Sequence, residues 1–176
     1  MCIRDRLESI AIYLGLEKKY FTDKVKGGES IMRSIHYYPL NENDVQDGAV
    51  RAAAHGDINL ITLLMGASAD GLEIFTKDKK WIPIISEPDQ LVINVGDMME
   101  RLTNKRLMST VHRVVNPDNS KLNTSRYSIP FFMHPKPHMD LSCLESCIDK
   151  DNPKSFDDTT AGEFLEKRLK DIGLKK

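Results

Sequence analysis

His55-Gly56-Asp57 sets an imidazole and a carboxylate two residues apart. On extended backbone, side chains i and i+2 leave the same face, so both can grip one ion. A third ligand has to come from a distant strand. His112 qualifies, because Ser109-Thr110-Val111-His112-Arg113-Val114-Val115 has the alternation of a barrel strand. Two histidines and one carboxylate cover one face of an octahedral metal and leave the other positions open, as expected for non-haem Fe(II) oxygenases that bind a co-substrate and O₂ together. Zinc is the competing metal. Hydrolytic zinc histidines commonly stand four apart on a helix, however, and the turn-bounded β pattern here argues against that.

Arg126-Tyr127-Ser128 adds a second element. Arg126 and Ser128 share one face of a strand, while Tyr127 and Ile129 share the other. An inward guanidinium is costly unless it meets an anion. Its planar fork suits two-point contact with a carboxylate, to which a serine hydroxyl two residues away can donate as well. The pair therefore reads as a carboxylate clamp. Other chemistry-bearing residues read more plainly. His134 and His138 have helical zinc spacing, but Pro135 and Pro137 cannot continue a helix, so both are loop histidines. Cys143 and Cys147 read as free thiols, and Trp81 and Phe131-Phe132 as core or pocket wall.

The elements that must position these groups are short. Residues 7–26 carry apolar positions at helical spacing with Gly15 as a break, which predicts two connecting helices. Ser30 to Tyr38 reads as a strand stopped by Pro39, and Leu40 to Gly48 as polar loop. β-rich runs then succeed one another at close spacing: Ala49 to His55, Leu60 to Met65, Leu72 to Thr76, Trp81 to Ile85, Leu91 to Val95, Leu107 to Val115 and Ser125 to Met133. Ala69-Asp70-Gly71 and Asp78-Lys79-Lys80 have the composition of hairpin connections. Met98 to Leu102 reads as a helical turn. A final amphipathic helix, residues 160–172, opens on a capping box at Thr160-Ala161-Gly162-Glu163. Repeated short strands predict a mainly β sandwich or barrel.

Composition bounds the partners. The 176 residues carry a formal net charge of -1 with 40% hydrophobic residues, which suits one globular domain. Cations are scattered among acids, so no nucleic-acid or membrane partner is expected. Three cysteines, Cys2 included, make no disulfide framework. No apolar stretch has the length of a membrane span, and no secretory leader pattern stands at the N-terminus. A cytoplasmic location is the resulting expectation. Met1 to Arg6 fits poorly with the rest of the chain and carries no functional weight.

Several segments together resemble the isopenicillin N synthase-like family of Fe(II) and 2-oxoglutarate-dependent oxygenases. They are His36-Tyr37-Tyr38-Pro39, His55-Gly56-Asp57 with Ile58 to Leu64, Asn94-Val95-Gly96-Asp97-Met98, Ser109 to Val114, Arg126-Tyr127-Ser128-Ile129-Pro130-Phe131-Phe132 and Thr160 to Leu165. They stand in family order and cover nearly the whole chain from about Leu7. His36 departs from the pattern, standing where many relatives carry asparagine.

The resemblance implies a double-stranded β-helix, or jelly roll, over residues 30–134. Linker helices over 1–29 and a C-terminal loop and helix over 135–176 would flank it. It implies His55, Asp57 and His112 as iron ligands, Arg126 and Ser128 on the far carboxylate of 2-oxoglutarate, and Tyr38 reaching the same co-substrate. The implied activity couples oxidative decarboxylation of 2-oxoglutarate, with O₂ and optionally ascorbate, to hydroxylation, desaturation or cyclisation of a small organic molecule. Two alternatives stay open: an Fe(II) oxidase that consumes no 2-oxoglutarate, as isopenicillin N synthase does, and a truncated metal-binding product without turnover. Relatives carry a substantial N-terminal region ahead of the connecting helix in which this chain starts, so truncation of a longer enzyme is expected.

Overall fold

The computed structural model describes residues 3–41, 45, 48–87 and 89–175. Met1, Cys2 and most of the expected polar loop before Gly48 lie outside the described residues. The N-terminal segment forms α1 (Ile3–Tyr13) and α2 (Tyr20–Val25), and Gly15, at φ 71°, turns the chain between them. Leu7, Ala11 and Leu14 recur at helical spacing and are fully or almost fully buried. The strands are β1 (Ile31–Met32), β2 (Ile35–Tyr37), β3 (Ala52–His55), β4 (Ile61–Met65), β5 (Leu72–Phe75), β6 (Trp81–Pro83), β7 (Leu91–Val95), β8 (His112–Val114) and β9 (Arg126–Met133). Helices α3 (Asp97–Leu102) and α4 (Ala161–Asp171) complete the regular elements.

The strands form two antiparallel sheets. The larger runs β1-β9-β4-β7 with β2 also on β9, and the smaller runs β3-β8-β5-β6. From β3 to β9 the chain changes sheet at every connection except β5 to β6. A mainly β, double-stranded jelly roll results. The two faces of β4 show how the sheets divide the interior. Ile61 and Leu63 point outward and pack with Leu7, Ala11, Phe21, Met98 and Leu102, so the apolar core lies between the larger sheet and the helices. Thr62 and Leu64 point inward and line a cavity of about 340 Å³ bounded by both sheets.

Three expectations are revised. The strand expected from Ser30 to Tyr38 is broken into β1 and β2. Their registers, Ile31 with Phe132 and Ile35 with Ser128, set Arg33 opposite Pro130. Arg33 N–H donates to the Pro130 carbonyl at 3.0 Å, but the proline has no N–H to return, and the ladder is interrupted there. Ala69-Asp70-Gly71 is a crossover between sheets rather than a hairpin, because β4 is already paired on both edges, by β7 and β9. Only Asp78-Lys79-Lys80 closes a hairpin, between β5 and β6, with Lys79 at φ 58°. The strand expected from Leu107 to Val115 shrinks to β8. Its first part is held by α3 and the turn after it: Thr103 Oγ1 accepts from Leu107 N–H at 3.1 Å, and a Glu100 carboxylate oxygen accepts from Ser109 N–H at 2.6 Å.

The C-terminal helix forms with the expected cap. Thr160 Oγ1 accepts from Glu163 N–H at 3.3 Å, and the Glu163 carboxylate accepts from Thr160 N–H at 2.9 Å. Arg168 of α4 then pairs with Asp97 of α3 at 3.3 Å. Cys143 and Cys147 are buried free thiols, and His134 and His138 lie in loop. Phe132 lines the cavity while Phe131 packs on the core. Trp81 does neither: its ring lies tilted against Phe75 with centroids 5.0 Å apart and 4.1 Å beneath the Arg113 guanidinium.

Candidate active site

β3 and β8 bring two histidines face to face. His55 and His112 are direct partners in the β3–β8 register, with ring centroids 4.4 Å apart. A register shift between Ala52 and His55 marks a bulge that re-aims the end of β3 toward the cavity mouth. Each ring is oriented by its own strand. His55 Nδ1 lies 2.7 Å from the Ala53 carbonyl and His112 Nδ1 lies 3.0 Å from the Thr110 carbonyl. A carbonyl can only accept, so each Nδ1 is the donor, and the neutral form of each ring has its lone pair on Nε2.

Asp57 lies just past the end of β3 and is buried. Its backbone carbonyl accepts from Asp97 N–H at 2.7 Å, which ties the segment to the start of α3. One carboxylate oxygen, Oδ2, accepts from the Thr62 hydroxyl at 2.6 Å and from Asn94 Nδ2 at 2.9 Å. Asn59 in turn donates to Thr62 Oγ1 at 2.9 Å, so the hydroxyl proton is directed at Asp57. The other oxygen, Oδ1, is left facing His112 Nε2 at 3.9 Å. One ligand atom each from His55, Asp57 and His112 lie within 4.8 Å of one another. Two imidazoles, one carboxylate and ring protons given away to carbonyls form the donor set of a first-row transition metal.

β9 supplies the other end of the cavity. Along this strand Arg126, Ser128 and Pro130 are buried and Tyr127 and Ile129 exposed, the alternation expected of the sequence. Arg126 is 1% exposed. Its Nε donates to the carbonyls of Ala69 and Asp70, at 3.1 and 3.2 Å, so the crossover between β4 and β5 holds the guanidinium by its inner edge. Nη1 is buried without a partner. Burial is the main influence lowering the Arg126 pKa, with Tyr37 opposing it and Arg51 adding to it. An inward cation with an unmet donor fits an anion brought from outside the chain.

Tyr38 is 71% exposed and does not line the cavity; its ring lies tilted against His36, with centroids 4.3 Å apart. Tyr37 lines the cavity instead, with the Arg126 guanidinium 5.1 Å from its ring centroid. The cause is register: β2 pairs Tyr37 with Arg126, so these two share the inner face and Tyr38 falls on the outer one. Three further residues carry no mark of their role in the sequence motifs: Thr62 and Asn59, which orient Asp57, and Arg51, which lines the cavity. Only a polar residue inside an otherwise apolar Leu60 to Met65 run could have flagged Thr62.

Comparison with known proteins bears on the family and the fold. The family model described as "2OG-Fe(II) oxygenase superfamily" matches residues 28–135. The chain is 31% identical over 170 residues to a 2-oxoglutarate-Fe(II) type oxidoreductase, ppzD, of Metarhizium majus, covering 94% of this chain and 49% of that protein. A solved 2OG-Fe(II) oxygenase family protein from Caulobacter crescentus superposes with a TM-score of 0.85 at 48% identity, covering 94% of this chain and 53% of that one. A Neurospora crassa protein, solved in complex with alpha-KG and thymine, superposes at 0.87 with 29% identity, over 96% and 52%. The chain thus spans about half the length of the relatives it matches. No helix among the described residues is long and apolar enough to cross a membrane. By matched residues, fold and shared sequence, the chain belongs to the 2OG-Fe(II) oxygenase superfamily.

Proposed function

We propose that this chain carries the iron- and co-substrate-binding core of an oxygenase that couples 2-oxoglutarate decarboxylation to oxidation of a small organic substrate. The observation that carries the reading is one cavity with a His55–Asp57–His112 cluster at its mouth and a buried, unmet guanidinium, Arg126, at its far end. When bound, Fe(II) supplies the redox chemistry that activates O₂ while 2-oxoglutarate becomes succinate and CO₂. The chain supplies position and charge. His55 and His112 present Nε2 lone pairs, and Asp57 presents Oδ1 because Thr62 and Asn94 occupy Oδ2. Arg126 and Ser128 hold the far carboxylate of the co-substrate, with Tyr37, rather than Tyr38, beside it. Leu64, Leu72, Ile74, Val92 and Val114 wall the cavity with apolar surface and keep bulk water from the reacting centre.

The test is Fe(II)-dependent release of succinate from 2-oxoglutarate by the purified chain, with Arg126→Gln in parallel. Succinate release that the substitution lowers through a raised KM for 2-oxoglutarate is the expected result. Oxygen uptake with Fe(II) and ascorbate but no succinate would turn the assignment to a 2-oxoglutarate-independent oxidase.

A further inference from the structure

Arg126 is not the only guanidinium at its end of the cavity. Arg51 immediately precedes β3 and reaches into the same space from the smaller sheet. Its Nη2 donates to the carbonyls of Tyr38 and Thr124, at 3.4 and 3.0 Å, one just past β2 and the other just before β9. The tip of the side chain is thereby anchored across the two sheets. Its Nε is buried and has no partner, as is Nη1 of Arg126. Both guanidiniums are thus fixed to carbonyls at one nitrogen and leave a desolvated N–H unmet at another.

Two cations held this way repel each other. Burial lowers the pKa of both, and Arg51 lowers that of Arg126 further. The only carboxylate lining the cavity among the described residues is Asp57, whose Oδ2 is already spent on Thr62 and Asn94. Asp70, a carboxylate whose charge favours protonated Arg126, is itself largely exposed and turned to Lys121 at 3.7 Å. Tyr37 favours the charged form of both arginines, but it offers a phenol rather than a carboxylate. Unmet donors and unbalanced charge on two fixed forks are relieved together by one carboxylate placed between them.

We propose that Arg51 is a second arginine of the co-substrate clamp, so that the far carboxylate of 2-oxoglutarate is held between Arg126 and Arg51. This rests on the co-substrate reading above. It carries a selectivity: a 2-oxo acid without a second carboxylate gains nothing from Arg51. Calorimetric titration of 2-oxoglutarate and of 2-oxobutyrate into the Mn(II)-loaded chain tests it, since the two ligands share the keto-acid head and differ in the far carboxylate. Arg51→Gln is expected to weaken 2-oxoglutarate roughly ten- to a hundredfold while leaving 2-oxobutyrate within about twofold. Arg51→Lys, which keeps the charge but not the fork, should fall between. Unchanged 2-oxoglutarate affinity, or equal weakening of both ligands, overturns the proposal and leaves Arg51 a tie between the sheets. If R51Q does not fold, R51K decides, and an unaltered ratio of the two affinities in it overturns the proposal as well. R126Q separates the two levels. Full 2-oxoglutarate affinity in R126Q sinks the co-substrate reading itself, whereas loss in R126Q without loss in R51Q sinks only the role of Arg51.

Discussion

The Thr62 hydroxyl donates to Asp57 Oδ2 at 2.6 Å, from β4 of the larger sheet to the loop after β3 of the smaller. A buried carboxylate is thereby held with one oxygen occupied and the other free to face His112. Such partners behind a ligand set its orientation and basicity. Thr62→Val keeps the shape and removes the donor. We expect metal affinity to fall roughly ten- to a hundredfold with the fold retained, as read by Mn(II) titration and circular dichroism. Undiminished affinity would show that Asn94 alone suffices.

Loss of a proposed ligand should be more severe than loss of its support. His55→Ala and Asp57→Ala each leave two of three donors in the cluster. Both should abolish Fe(II)-dependent succinate release. Substantial metal-dependent turnover in either purified variant would remove that residue from the ligand set.

His134 gives a pH dependence. The side chain is buried, with Nδ1 unpartnered, and burial lowers its pKa from the ordinary 6.5, against the opposing charges of Glu29 and Asp57. The folded state therefore binds this proton less readily than the unfolded chain. Stability is present above 6.5 and is lost as pH falls from there toward the lowered value. Urea unfolding of metal-free protein between about pH 7.5 and about pH 5.5 should show a steeper loss for the wild type than for His134→Gln. Equal slopes would refute the assignment.

Gly96 sits where β7 turns into α3, and a Cβ there would meet the Asn59 carbonyl oxygen at 2.2 Å. The obstruction is backbone, so it cannot swing aside. Gly96→Ala should cost about 2 kcal/mol or more in unfolding free energy. It should also weaken metal binding, because Asn59 directs Thr62 toward Asp57. A variant as stable as the wild type would mean that this turn yields more readily than its contacts indicate.

The capping box of α4 offers a smaller, local test. Thr160→Ala removes the acceptor for Glu163 N–H and should lower stability by about 1 kcal/mol. Metal affinity should not change, since α4 contributes no residue to the cavity. A matching loss of metal affinity would show that the Arg168–Asp97 pair transmits the disturbance to α3 and Asp57.

What could be read along the chain is what depends on near neighbours. His55 and Asp57 two apart, the inward alternation of Arg126 and Ser128, the β7 run from Leu91 to Val95 and the Thr160–Glu163 cap are patterns of period or of short contact, and each reappears in the fold. What the chain alone left open depends on which strand lies beside which. Alternation says that Tyr37 and Tyr38 face opposite ways, but only pairing with Arg126 says which faces inward. Turn composition suits Ala69-Asp70-Gly71 to a hairpin, but β4 has no free edge to receive one, so the segment crosses sheets and its carbonyls grip Arg126. Thr62 behind Asp57, and Arg51 beside Arg126, are convergences of residues from separate strands and loops. Local periodicity is set by backbone stereochemistry, which every segment carries with it. Convergence is set by sheet order and register, and these exist only once the whole chain has folded.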